Sequence, residues 1–242
     1  MNIPTQTQHT YNMANTITLS KETIAILKNL ASINLNLGIK PGKTLTTISE
    51  AKNIYASIEV EEEFPVELGI YDLSEFIPFI SLVGDDAILD FKSDHVIISS
   101  PSGNAKARFR YANMSVLTVP TQEIKMPPSD VEVEITAATL AQLRKASAAL
   151  GHSTLSIHSD GDDIVASIVD WKDASSNKFS MVIGKNSTGA TFDFQYIINN
   201  IKVINGDYDV QISSKNISEW SNRTAPAKYY IALEKTSTYS AS

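Results

Sequence analysis

The chain carries two copies of one pattern, and no other feature limits its fold as strongly. The segment from Ile17 to Lys28 returns in outline from Val133 to Arg144. Each copy reads as a short strand, a hydroxyl residue and a helix. Ile17 and Leu19 match Val133 and Ile135, and Ser20 matches Thr136. Thr23, Ile24, Leu27 and Lys28 match Thr139, Leu140, Leu143 and Arg144. A second pair follows: Asp72, Leu73, Phe76, Ile77, Ile80 and Val83 recur as Asp193, Phe194, Ile197, Ile198, Ile201 and Ile204. Two halves of similar size, each opening on a strand and a helix and each with a later amphipathic helix, imply a duplicated domain.

A chain of 242 residues is long enough for two such domains, each with its own core. It has no cysteine, which excludes disulfides, thiolate metal sites and a cysteine nucleophile. No apolar run approaches the roughly 18 residues of a membrane span. The first dozen residues lack the basic and apolar regions of a signal peptide and read as a disordered tail, with Met13 as an alternative start. The formal charge is −7, from 20 basic and 27 acidic residues. A nucleic-acid partner is compatible with that balance only through a local basic patch.

Such a patch has a place in the repeat. Ser20 is an N-cap, with Glu22 in the first turn beside the positive end of the helix dipole. On a helical wheel Lys21, Glu22, Ala25, Lys28, Asn29 and Ser32 fall on one arc, opposite Ile24, Ile26, Leu27, Leu30, Ala31 and Ile33. Thr136 caps the matching helix, whose outer arc holds Ala137, Ala141, Arg144, Lys145 and Ala148. That face is basic, small and free of acids. Lys28 coincides with Arg144 across the repeat, whereas Lys21 and Lys145 each lack a basic counterpart.

Around these helices the alternation is that of strands. Residues 43–49 and 53–60 read as a hairpin after the turn at Pro41 and Gly42, and 87–91, 95–100 and 105–111 as a meander. In the second half, 154–158, 164–169, 179–183, 208–213 and 228–233 are strands, with turns at Asp160-Gly161 and Asn205-Gly206. Pro78 falls early in the helix after Asp72, so that helix is expected to be short or bent. Lys106, Arg108 and Arg110 share one side of their strand, where they meet DNA or a neighbouring subunit, or blunt an edge; the last two readings are favoured. Residues 112–130 carry Pro120, Pro127 and Pro128 like a connector, yet Val116, Leu117, Val119, Ile124 and Met126 predict that it lies against a domain surface.

Catalysis finds no support. His9, His95, His152 and His158 show no metal-ligand spacing, and Asp85-Asp86 and Asp162-Asp163 read as turn residues without a calcium-loop pattern. There is no Gly-rich phosphate loop and no nucleophile elbow.

The segments Leu19 to Asn34 and Ile70 to Asp86 closely resemble the corresponding segments of the sliding clamps of T-even bacteriophages. Phe192 to Asn199, Lys202, Gly206 to Tyr208 and Tyr230 to Ser237 are similar to the second half of that family. The resemblance runs from about Thr16 to the end, with the N-terminal tail as an addition. It implies an α+β DNA clamp fold of two similar domains, with antiparallel sheets outside and two helices per domain lining a central hole. The divisions are a tail over 1–15, a first domain over 16–112, a connector over 113–130 and a second domain over 131–242.

The implied function is a non-enzymatic ring around double-stranded DNA, without sequence preference and without cofactor or metal. It tethers the phage DNA polymerase in the host cytoplasm, away from any membrane. The resemblance further implies a homotrimer, an ATP-driven clamp loader and a tether for late-transcription factors. Lys21, Lys28, Arg144, Lys145 and Lys202 are the expected DNA-facing residues, and Leu117, Val119, Ile124, Met126, Tyr229 and Ile231 the expected pocket for partner peptides. The rival from another class is a β-rich viral structural protein assembling through its sheet edges; an enzyme with a dispersed site ranks last.

Overall fold

The computed structural model describes residues 15–84, 86–159 and 161–241. His9, Met13, Asp85, Asp160 and nearly all of the tail therefore lie outside the described residues. The first half runs β1 (Thr16–Thr18), α1 (Lys21–Ile33), β2 (Leu37–Ile39), β3 (Gly42–Ile48), β4 (Ile54–Phe64), β5 (Leu68–Ile70), α2 (Leu73–Leu82), β6 (Ile88–Phe91), β7 (His95–Ser99) and β8 (Lys106–Arg110). The second runs β9 (Val131–Ile135), α3 (Ala137–Leu150), β10 (Thr154–Ser159), β11 (Asp163–Val169), β12 (Phe179–Lys185), β13 (Thr191–Ile197), β14 (Tyr208–Ser213), β15 (Ile217–Asn222), β16 (Ala227–Ala232) and β17 (Thr238–Ser240).

The duplication is visible in the sheets. In the first half β1-β6-β7-β8 form one sheet, and in the second β9-β14-β15-β16 take the same order. Every pairing is antiparallel among the described residues. The second of these sheets does not stop at β16. It continues through β4 to β3, so one six-stranded sheet crosses from one half of the chain to the other. The remaining sheets are β2-β5 and β12-β11-β10-β13-β17.

The two opening helices form for the same local reasons. Ser20 Oγ accepts from Thr23 N at 3.1 Å, and Thr136 Oγ1 from Thr139 N at 3.0 Å, which satisfies an otherwise orphaned first-turn donor in each. α1 buries Thr23, Leu27, Leu30 and Ile33, and α3 buries Leu140 and Leu143, each on one stripe. Gly151 ends α3 in the left-handed conformation, at φ 71°. α2 is short, ten residues, with the exposed Pro78 inside it.

The second repeat pair departs from expectation. Where the sequence suggested an amphipathic helix after Asp193, the chain runs as β13 and closes with a single 3-10 turn at Ile198–Asn200. Phe192, Phe194 and Tyr196 are buried in alternation, which is a strand's period of two. Aromatic and β-branched residues follow one another there, and they favour a pleated surface over a helix. Asp193 is no helix cap: it accepts from Ser156 Oγ at 2.6 Å and from Gln195 Nε2 at 2.6 Å. The described residues therefore hold three α-helices, two in the first half and one in the second. β2, β5, β15 and β17 are further strands that the pattern reading did not assign.

Candidate nucleic-acid interface

α1 and α3 flank one segment of chain. Arg144 Nη2, on α3, donates to the carbonyl of Ile201 at 2.6 Å. The next residue, Lys202, reaches the other way: its Nζ donates to the carbonyl of Ser32, at the C-terminal end of α1. Asn29 Nδ2 of α1 donates to the carbonyl of Lys202 at 3.0 Å. The turn that stands where a fourth helix was expected is thus strapped between the two long helices and brings them to a common surface.

All five candidate cations lie on these elements. Lys21 and Lys28 are exposed on α1 and line a cleft of about 420 Å³ against the end of α2. Lys145 is exposed on α3. Arg144 and Lys202 differ, because each spends a hydrogen bond on the backbone. Desolvation, slightly opposed by the nearby Tyr208, lowers the Arg144 pKa, but a guanidinium keeps its charge and four further N–H donors. These two hold the helices together as well as carrying charge, a dual role that spacing alone does not reveal.

The N-termini of both helices receive carboxylates. Ala137 N donates to Asp207 Oδ1 at 2.8 Å, and Ser20 N and Thr23 Oγ1 donate to Glu62 of β4. Burial works against the Glu62 charge, but the hydrogen bonds from Thr23 and Ser20 outweigh it and hold the carboxyl below its usual range. Neither acid was singled out by the sequence reading.

On the opposite side of the seam the connector lies against the first half. Thr118 N donates to Asn36 Oδ1 at 2.9 Å, and Asn34 Nδ2 donates to the carbonyl of Thr118 at 3.0 Å. Gly69 leaves no room for a side chain, because a Cβ would lie 2.5 Å from the Ala112 carbonyl oxygen and 2.9 Å from Leu117 Cδ1, and at Gly38 a Cβ would press on the flexible Met114 Cε at 2.6 Å and on Val119 Cγ1 at 3.1 Å. Leu117 and Val119 thus pack inward on β2 and β5, half-buried, as Ile124 and Met126 also are. Residues 120–123 border a cleft of about 370 Å³ with residues 40–44 and Tyr55.

Tyr229 and Ile231, expected in that pocket, are fully buried. Successive side chains on a strand point to opposite faces, so β16 turns these two into the core and presents Tyr230 outward. Tyr230 meets Tyr55 edge to face, ring centroids 5.7 Å apart. Burial raises the pKa of both phenols; next come the hydrogen bond to Glu219 for Tyr230 and the Glu123 charge for Tyr55. Tyr229 is the keystone of the seam: its hydroxyl donates to Asn29 Oδ1 at 2.8 Å and accepts from Ile204 N at 3.1 Å.

The described residues contain no group of three or more metal-ligating side chains, and no helix long and apolar enough to cross a membrane. A duplicated α+β unit, sheets joined edge to edge across its halves and cationic helices on one shared surface define a protein of the clamp class.

Comparison with known proteins agrees. The family described as DNA polymerase processivity factor matches residues 20–102, and that described as gp45 sliding clamp, C terminal, matches 132–235. The sliding clamp of Vibrio phage KVP40 is 30% identical over 221 residues, covering 89% of this chain and 98% of its own. Those of Escherichia phage RB69 and Enterobacteria phage T4 are 30% and 28% identical, each over 91% of this chain and 98% of theirs. Among solved structures, the proliferating cell nuclear antigen of Entamoeba histolytica superposes with a TM-score of 0.64 over 91% of this chain and 99% of its own, at 17% identity. That of A. fulgidus, solved with the C-terminal region of FEN-1 bound, gives 0.62 over 92% and 99%, at 12% identity. The chain belongs to the sliding clamp family of DNA polymerase processivity factors. Such proteins are scaffolds and not enzymes, and the rival reading as a viral structural protein is set aside.

Proposed function

We propose that three copies of this chain close head to tail into a ring that encircles duplex DNA and tethers the phage DNA polymerase in the cytoplasm of the infected host. The observation that carries this reading is the joint inside the chain. β16 ends the second half's sheet and pairs with β4 of the first; β8 and β12 stand at the equivalent places and end their sheets unpaired among the described residues. A joint between unlike edges, repeated by rotation, closes on itself and removes the edges. The units are those of the sequence reading: a domain over 16–112, a connector over 113–130 and a domain over 131–242.

In that ring α1 and α3 face the hole. Lys21, Lys28 and Lys145 offer long, mobile contacts to phosphates, with Arg144 and Lys202 adding charge from the seam. Sparse cations with no base contacts permit sliding. The excess of acids, −7 per chain, leaves the exterior repelling DNA. The cleft at residues 120–123, bordered by Tyr55 with Tyr230 beside it, lies along the connector that Leu117, Val119, Ile124 and Met126 shape, and is the place for a partner tail. An ATP-driven clamp loader opens the ring, and late-transcription factors use the same tether.

Two measurements test this together. Light scattering should give three times the chain's 26.4 kDa. Primer extension should become processive only with loader and ATP. A monomer at every concentration, or stimulation of the polymerase on linear templates without loader, would overturn the reading.

A further inference from the structure

The joint inside the chain also specifies how two copies meet, residue by residue. The β7–β8 hairpin pairs Ser99 with Lys106 through His95 with Arg110, and β15–β16 pairs Ser221 with Lys228 through Ile217 with Ala232. Lys106 to Arg110 of β8 therefore match Lys228 to Ala232 of β16. On the other edge each hairpin has a register irregularity, two residues against five in β3–β4 and one against two in β11–β12, and the first regular pair after it sets the match. β3–β4 shifts register and resumes at Thr44 with Glu59; β11–β12 shifts and resumes at Val165 with Val182. Val182 then matches Glu59, and Met181, Ser180 and Phe179 match Ile58, Ser57 and Ala56.

Inside the chain the pairs are Ala227 with Ile58, Lys228 with Ser57, Tyr229 with Ala56 and Tyr230 with Tyr55. Carried to two copies, they become Ala105 with Met181, Lys106 with Ser180, Ala107 with Phe179, and Arg108 with Lys178. The first three keep the chemistry. An alanine again meets an aliphatic side chain, and a lysine again meets a serine. One aromatic again fills the inward position, on the opposite strand: Tyr229 against Ala56 within the chain, Phe179 against Ala107 between chains. Backbone pairing alone sets these matches, so the recurrence of side-chain chemistry supports the register independently.

The fourth pair breaks the pattern. Within the chain it is the edge-to-face contact of Tyr55 and Tyr230, beside the ion pair of Lys228 and Glu219 at 2.8 Å. Between copies it sets the exposed Arg108 of β8 opposite the exposed Lys178, the residue immediately before β12, and the position matching Glu219 is the uncharged Ile97. Like charges directly across a strand pair are destabilising. We infer that the subunit joint repeats the interdomain register, and that Arg108 facing Lys178 of the next copy makes that end of it the ring's weak point, where it parts first. The inference rests on the ring reading and adds to it a register and a place of opening.

The chain has no cysteine, which makes the register directly readable. Lys106→Cys combined with Ser180→Cys should cross-link the trimer covalently on oxidation. Lys106→Cys with Val182→Cys, two residues away along the edge, should cross-link much less. For the weak point, sedimentation of the full-length protein over a dilution series gives the trimer's dissociation constant.

Lys178→Glu alone and Arg108→Glu alone should each tighten a joint by about fivefold, by turning a like-charge pair into an opposite one. The double variant, with two carboxylates facing, should fall back to the parent or weaker. Both side chains are exposed, so the substitutions leave the fold intact. If the trimer forms but the single variants weaken it or leave it unchanged, or if the offset cysteine pair links best, the register is wrong while the ring stands. If no trimer forms, the ring reading and this inference fall together.

Discussion

Tyr229 joins the two halves of the chain through its side chain. Its ring is buried beside Tyr208 at 6.2 Å, and its hydroxyl joins α1, through Asn29, to the backbone of Ile204. Removing that oxygen leaves the Asn29 carbonyl and the Ile204 N–H without this partner in a half-buried seam, which costs about 1–3 kcal/mol. Tyr229→Phe should lower the chain's stability to urea by that amount with no change in the slope of the transition. A shift under a few tenths of a kcal/mol would mean that water replaces the hydroxyl and that the seam is wetter than its geometry implies.

The same residue marks how finely sequence can be read. The strand was legible from its alternation, and so was the presence of aromatic residues near the connector. Which parity faced outward was not, because β16 is covered on one face by packing that forms only when the two halves meet. Tyr229 and Tyr230 are equivalent to any pattern that sees one strand at a time.

Elements were legible where their signal was local and failed where it was borrowed. Ser20 and Thr136 announced α1 and α3 through capping chemistry that needs only the next three residues. The strands 208–213 and 95–99 followed from alternation. β2, β5 and β17 are three residues each, too short for any period to register. The second-half helix was inferred from its counterpart around Asp72, and the inference lost to the local preference of Phe192, Phe194 and Tyr196 for a strand.

Glu62 belongs at this scale, since it ties β4 to the start of α1 across 42 residues of chain. Its folded pKa is depressed, so its stabilisation is fully present above the ordinary carboxylate range and is lost as pH falls through the folded value. Glu62→Gln should destabilise at pH 7 by about 0.5–2 kcal/mol, the usual worth of a helix cap. The gap to the parent should narrow below the carboxylate range, at about pH 3. Urea midpoints at the two pH values check this; a gap constant with pH would show that the charge contributes nothing there.

At the scale of the whole molecule, topology and charge make separable contributions. A ring holds a closed circle of DNA because it cannot come off, whatever the salt. In the proposed ring the cations would act only on how closely the duplex is held and how the ring slides. Phosphate contacts weaken steeply as salt rises, so an affinity based on Lys21 and Lys28 alone would be lost within the physiological range.

The two contributions therefore respond differently to one experiment. Protein loaded on nicked circular DNA should remain bound through a high-salt wash, and cutting the circle once should release it. With Lys21→Ala and Lys28→Ala together, retention on the circle should be unchanged, while synthesis at moderate salt loses processivity by a few-fold, because the duplex is no longer centred by those contacts. Release of the double variant from intact circles by salt alone would place the grip in the lysines and not in closure, and the edges of β8 and β12 would then need another use.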